Sequence, residues 1–176
     1  MSLDIEGIEG LKLLLKRFTD IPNAAAAEMG ILAEDTKNLA RNMAPEEFGD
    51  LKDAIKMRLR DGFGRFARGI NAVTYEIYVD TSHAVSDERQ VKTGDTTVGD
   101  YAWAVHEYMG YGNTPGAPMK KSGKPFMPSA KSVAEGLKFG VDAGGRFMER
   151  SGEEMREKID VKLGALVFKD VAAMDL

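Results

Sequence analysis

The chain has 176 residues, a formal net charge of −4, two histidines and no cysteine. That length suffices to bury one core and is short for two. The absence of cysteine excludes a disulfide framework and thiolate metal sites, and fits a reducing compartment. The acidic balance argues against a dedicated nucleic-acid binder, which normally carries a basic excess. At 43% hydrophobic and 30% charged residues the composition is that of a globular chain. No apolar run approaches the ~18 residues that span a bilayer, and the start lacks a basic region followed by an apolar core. The expectation is a single cytoplasmic domain over residues 1–176.

Apolar side chains at Ile8, Leu11, Leu14, Leu15 and Phe18 predict a helix over residues 3–18. Asp20-Ile21-Pro22-Asn23 is expected to break it, because proline removes a donor and disfavours helix before it. A longer helix is predicted from Ala24 to Met43, with Ala25, Met29, Leu32, Thr36, Leu39 and Met43 along its buried stripe. Ala44-Pro45 ends it. The period then changes to two. Ile55, Met57 and Leu59 alternate with Lys56, Arg58 and Arg60, and Val73, Tyr75, Ile77 and Val79 alternate with Thr74, Glu76 and Tyr78. These predict two antiparallel strands whose apolar face the long helix must cover, since a two-stranded ribbon alone is marginal. The Gly-rich loop 61–71 and the polar segment 81–99 read as mobile surface loops.

Residues 101–130 organise the rest. An aromatic block, Tyr101 to Tyr108, holds the only Trp, and a run too rich in Gly and Pro for regular structure follows it. The stretch closes on Pro125-Phe126-Met127-Pro128-Ser129-Ala130. Long loops of this kind are usually functional. Val133, Leu137, Val141 and Phe147 or Met148 predict a helix of about twenty residues beyond it. Gly136, Gly140 and Gly144 would line one side of that helix, either for close backbone approach or facing solvent. Ser151-x-x-Glu154 has the form of a capping box that restarts a helix. Leu163–Phe168 is compatible with strand or helix.

Catalytic patterns fail one by one. His106-Glu107 begins His-Glu-x-x-His, but Gly110 stands where the second ligand belongs. Gly123-Lys124 is followed by Pro125 where a phosphate loop requires Ser or Thr. No Gly-x-Ser-x-Gly occurs. The expectation is a protein that is not an enzyme and has no metal or cofactor. Lys56, Arg58, Arg60, Arg65 and Arg68 form a local basic excess, and Lys120, Lys121 and Lys124 form another. Either group is a DNA-facing surface or the wet side of a strand and a solvated loop, and the second reading is the simpler.

The pattern Tyr101-Ala102-x-x-Val105-x-Glu107, then Gly110 or Gly112, then Pro125-Phe126-x-Pro128-x-Ala130 resembles the HK97 gp10-like family of tailed-phage neck proteins. These are also called head–tail joining or tail-completion proteins. Ala44-Pro45, Gly49-Asp50-Leu51 and Ala54-Ile55 resemble that family's upstream turn. The resemblance spans roughly residues 24–150, leaving the helix over 3–18 and a helical extension over 151–176 outside it. It departs from the family at Met109, which separates Glu107-Tyr108 from Gly110.

The resemblance implies a structural virion protein of a phage or prophage neck. Such a protein is made in the host cytoplasm and joins head to tail, or completes the tail, as part of a homo-oligomeric ring. Its implied partners are other neck and tail proteins, with no cofactor and no membrane. The fold expected is α+β: a long helix packed on a small antiparallel sheet, with additional C-terminal helices. Tyr101, Ala102, Val105, Pro125, Phe126, Pro128 and Ala130 are the motif residues, with Tyr101 and Phe126 expected in the core. Trp103, Glu107, Tyr111 and Met119 are the candidates for assembly contacts. Rival readings are a DNA-contacting accessory protein that uses the 56–68 basic segment, and a hydrolase built on His106 and Glu107.

Overall fold

Helical propensity carries one long rod through the first quarter of the chain. In the computed structural model, which describes residues 8–46, 49–61, 73–119 and 122–172, helix α1 runs unbroken over Ile8–Met43. Side chains are described for residues 24–46, 49–59, 74–119 and 122–166. The expected break at Pro22 is absent. A proline inside a helix removes one backbone hydrogen bond, and here Ala24 to Ala27, strong helix formers, follow directly. The expected stripe faces inward at Leu32, Thr36 and Met43, joined by Ala40. Thr36 Oγ1 donates back to the Leu32 carbonyl at 2.7 Å, which satisfies its buried hydroxyl.

The short helix α2 (Asp50–Ala54) leads directly into β1 (Ile55–Asp61), which pairs antiparallel with β2 (Val73–Val79). The register sets Ile55 opposite Val79, Met57 opposite Ile77 and Leu59 opposite Tyr75. Pairs on one face alternate with Lys56–Tyr78 and Arg58–Glu76 on the other, as period two requires. Burial falls along the ribbon: Ile55 is 2% exposed and Leu59 is 55% exposed, so only the ribbon's base enters the core. Helix α1 crosses both strands. A Cβ at Gly30 would sit 2.9 Å from the Tyr75 hydroxyl, so this glycine makes room for β2.

The polar segment after β2 is not a plain loop. It contains α3 (Asp87–Thr93) and an isolated bridge between Ala84 and Thr97. Hydrogen bonds supply what apolar anchors do not. Buried Asp50 accepts from the Ser86 amide at 2.9 Å, and Arg89 donates to Asp95 at 2.9 and 3.0 Å. Val98 is fully buried at its end.

Helix α4 (Gly99–Tyr108) follows, then an irregular run, then α5 (Ala130–Lys138) and α6 (Phe147–Ala172). The single helix expected across residues 133–148 is instead two helices joined by a reversal. Gly140 and Gly144 there adopt φ of 69° and 145°, which side-chain-bearing residues rarely adopt. The three glycines therefore do not line one helix. Ser151 is no cap either: it lies inside α6, where its hydroxyl donates to the Met148 carbonyl at 2.9 Å. Residues 163–168 are helical.

Helix α6 runs antiparallel along α1, linked by the Gly144 amide donating to the Met43 carbonyl at one end and by Lys162–Glu28 further along. The core joins Ala40 and Met43 of α1, Leu51, Ala54 and Ile55, Val98, Ala102 and Val105 of α4, and Phe147, which is fully buried. The fold is α+β: among the described residues, six helices and one two-stranded antiparallel sheet, with α1 packed on the sheet. No helix among these residues is long and apolar enough to cross a membrane.

Candidate assembly surface around residues 101 to 138

Helix α4 has an inner and an outer side. Ala102 and Val105 pack into the core, and the Tyr101 ring lies beneath the Arg89 guanidinium at 3.3 Å. On the outer side Trp103 is 64% exposed and meets Tyr108 edge-on, with centroids 5.2 Å apart. Glu107 is exposed and sits 3.0 Å from His106 Nδ1. The His106 ring packs edge-on against Phe147 at 5.2 Å, and its Nε2 is buried without a hydrogen-bond partner. Donation from Nδ1 to Glu107 leaves Nε2 as a bare acceptor, the tautomer that buries no unpaired N–H. Neither His106 nor Glu107 belongs to a cluster of three or more metal-ligating side chains among the described residues.

Backbone-to-backbone contact shapes the run after α4. The Gly110 amide donates to Phe126 at 2.7 Å, Phe126 donates to Ala117 at 2.9 Å, and Ala117 donates to Tyr108 at 2.8 Å. Tyr111 pairs with Thr114 in a tight turn and bridges to Gly144. Pro118 and Pro125 close a smaller loop that carries Met119, which is 44% exposed. Met109, the departure from the resembled pattern, takes extended backbone at the α4 C-cap and packs partly against the core.

The four motif residues that close this run differ in burial. Phe126 is half-buried against the edge of the core, Pro125 and Ala130 are exposed, and Pro128 is half-buried. Ser129 caps α5 by accepting from the Ser132 amide. Ser132 in turn accepts from the Glu46 amide at 2.9 Å, which ties α5 to the end of α1. Between α2, α4 and this run lies a groove of about 370 Å³ lined by Leu51, Tyr101, Met109, Met119, Phe126 and Met127, among others. Tyr101 and Phe126 therefore serve both the core edge and the groove.

Tyr111, a candidate for assembly contacts, does not stand free on the loop. It is half-buried beneath the Arg150 guanidinium at 4.2 Å. Arg150 also donates to the carbonyls of Gly145 and Asp142, and burial pulls it below its ordinary pKa. The pattern of residues 101–130 gave no sign of this clamp, because Arg150 lies far along the chain on α6.

The basic segment is neutralised where it is described. Lys56 pairs with Asp80 at 2.6 Å, and Arg58 pairs with Glu76 at 2.6 Å while lying over the Tyr78 ring. The Arg60 side chain, Arg65, Arg68, Lys120 and Lys121 lie outside the described residues. Lys124 is exposed. No family model, no curated protein and no solved structure matches the chain.

Proposed function

We propose that the protein is a structural component of a tailed-phage or prophage neck, joining head to tail or completing the tail within an oligomeric ring. The observation that carries the reading is the two-sidedness of residues 101–130. The residues that give the resemblance anchor the stretch at Ala102, Val105 and Phe126, while Trp103, Tyr108, Met119 and Met127 stand 39–64% exposed along it. Aromatic and Met side chains make good interface anchors and rarely cluster in the open without a partner. The pairing of Lys56 and Arg58 with their own carboxylates weakens the rival in which that strand contacts DNA.

The test is removal of the gene from the phage or prophage that encodes it. Heads and tails should then accumulate unjoined, and expression of the chain in trans should restore infectious particles. Normal particles without the gene would refute the reading, and salt-dependent binding to duplex DNA would move it toward the rival.

A further inference from the structure

Among the described residues no third strand joins the β1–β2 ribbon, so it has two edges. The Asp80 amide donates to the Ala54 carbonyl at 2.8 Å. That bond belongs to the register in which Ile55 faces Val79, so Lys56–Tyr78 and Arg58–Glu76 are the pairs that exchange hydrogen bonds inside the ribbon. The alternate residues direct their backbone amides and carbonyls away from it: Met57 and Leu59 on β1, Tyr75 and Ile77 on β2. Proteins usually blunt such edges with a proline or a bulge. Neither strand contains proline, and the register runs from Ile55 to Asp61 without a bulge.

The two edges fit each other. All four edge residues carry their side chains on the apolar face of the ribbon. Setting Met57 and Leu59 of one copy against Ile77 and Tyr75 of the next would therefore continue the sheet and keep that face on one side. Two strands span about 9.5 Å and a helix is about 10–12 Å across, so one α1 per ribbon can tile the enlarged sheet. Leu59, 55% exposed, would gain a neighbour. On the polar face Arg58 of one copy would stand opposite Glu76 of the next, while the Arg58–Glu76 pair inside each copy stays in place.

We propose that successive copies join edge to edge, β2 of one against β1 of the next, in an antiparallel sheet that runs across the subunits. Charge selects this arrangement over the two symmetric ones without calling on any unpaired group. Joining β1 to β1 would set Arg58 directly opposite Arg58, and joining β2 to β2 would set Glu76 opposite Glu76. Like charges directly opposite destabilise a sheet. Because the two edges differ, the contact is head-to-tail, the kind that closes into a ring or runs on as a filament. The interface rests on the neck reading for its biological setting and on the ribbon's geometry for its existence.

The test uses the full-length protein. Sedimentation should show concentration-dependent self-association of the wild type. Ile77→Pro removes one outward amide and spares the bonds between β1 and β2, so it should weaken association about tenfold with circular dichroism unchanged. A wild type that stays monomeric, or a folded Ile77→Pro that associates as the wild type does, overturns the proposal. A charge exchange decides independently, should Ile77→Pro not fold. Arg58→Glu and Glu76→Arg combined in one chain should assemble with itself, yet a tagged form should fail to capture wild type, because every mixed contact opposes like charges. Mixed oligomers in the statistical ratio overturn the head-to-tail edge. Oligomers that pass both arms, from a gene whose loss leaves particles intact, would keep the interface and remove the neck role. Unjoined heads and tails with a monomeric chain would do the reverse.

Discussion

Glycine has different tasks at the junction beneath α4 and at the outer turns. At the junction, backbone presses on backbone: an added Cβ would lie 2.0 Å from the Phe126 oxygen at Gly116, 2.1 Å from the Met109 oxygen at Gly145 and 2.2 Å from the Gly110 oxygen at Gly144. At the turns, Gly123 and Gly140 have nothing within 4 Å, and their φ angles of 65° and 69° are what favour glycine. The first group is packing and the second is chain reversal. Composition merges the two, and only the tertiary arrangement separates a residue that holds the fold from one that turns the chain.

The largest expected effect breaks the junction from its apolar side. Phe147→Ala should cost about 3–5 kcal/mol, because the ring is fully buried and its removal leaves a cavity. That is a large share of the ~5–15 kcal/mol that holds a typical domain. Phe126→Ala should cost clearly less, since its ring is only half-buried. Denaturant unfolding of both variants checks the order, and equal losses would mean that the core extends into the loop.

A matched glycine pair sharpens the contrast. Gly145→Ala forces a Cβ onto the Met109 carbonyl and should cost at least the ~1–3 kcal/mol of overpacking. Gly123→Ala meets open space and carries only the left-handed backbone penalty of about 1–2 kcal/mol, which Gly123→Asn should largely avoid. Thermal midpoints of these three proteins and of Gly145→Asn decide. Recovery by Asn at residue 145 as well as at 123 would erase the distinction.

A smaller effect belongs to pH. Hydrogen bonds from Lys56 and Ser82 hold the Asp80 carboxyl at about 2, below its ordinary 3.8. A folded-state pKa below the unfolded one stabilises the fold above the unfolded value, and this contribution is lost as pH falls through the folded value. Wild type should exceed Asp80→Asn in thermal midpoint above pH 4, with the gap closing toward pH 2. A gap that persists below pH 2 would assign the effect to something other than this titration.

The ribbon was legible because period two and its dry face reflect one local rule, and the observed register sets Ile55 against Val79. The stripe of α1 was legible for the same reason. Residues 133–148 were misread because Val133, Leu137 and Val141 keep helical spacing, although the chain reverses between α5 and α6. A glycine weakens a helix by only about 1 kcal/mol, so whether it ends one depends on the contacts available elsewhere. Those contacts, Gly144 to Met43 and Gly145 to Gly110, are distant in sequence. Helix α3 was hidden because its segment is held by Asp50 and Arg89 rather than by apolar anchors. At the candidate site, Trp103 and Met119 are exposed, and the Arg150 clamp on Tyr111 did not show in the pattern.

The most direct test of a division between inward folding and outward assembly is one variant read twice. Trp103→Ser, combined with Met119→Ser, should leave the thermal midpoint within the small range of surface substitutions, about 0.5 kcal/mol. The same variant, supplied in trans to a phage or prophage lacking the gene, should leave heads and tails unjoined. A protein that unfolds early yet still joins particles would contradict the account, placing Trp103 in the fold and the interface elsewhere.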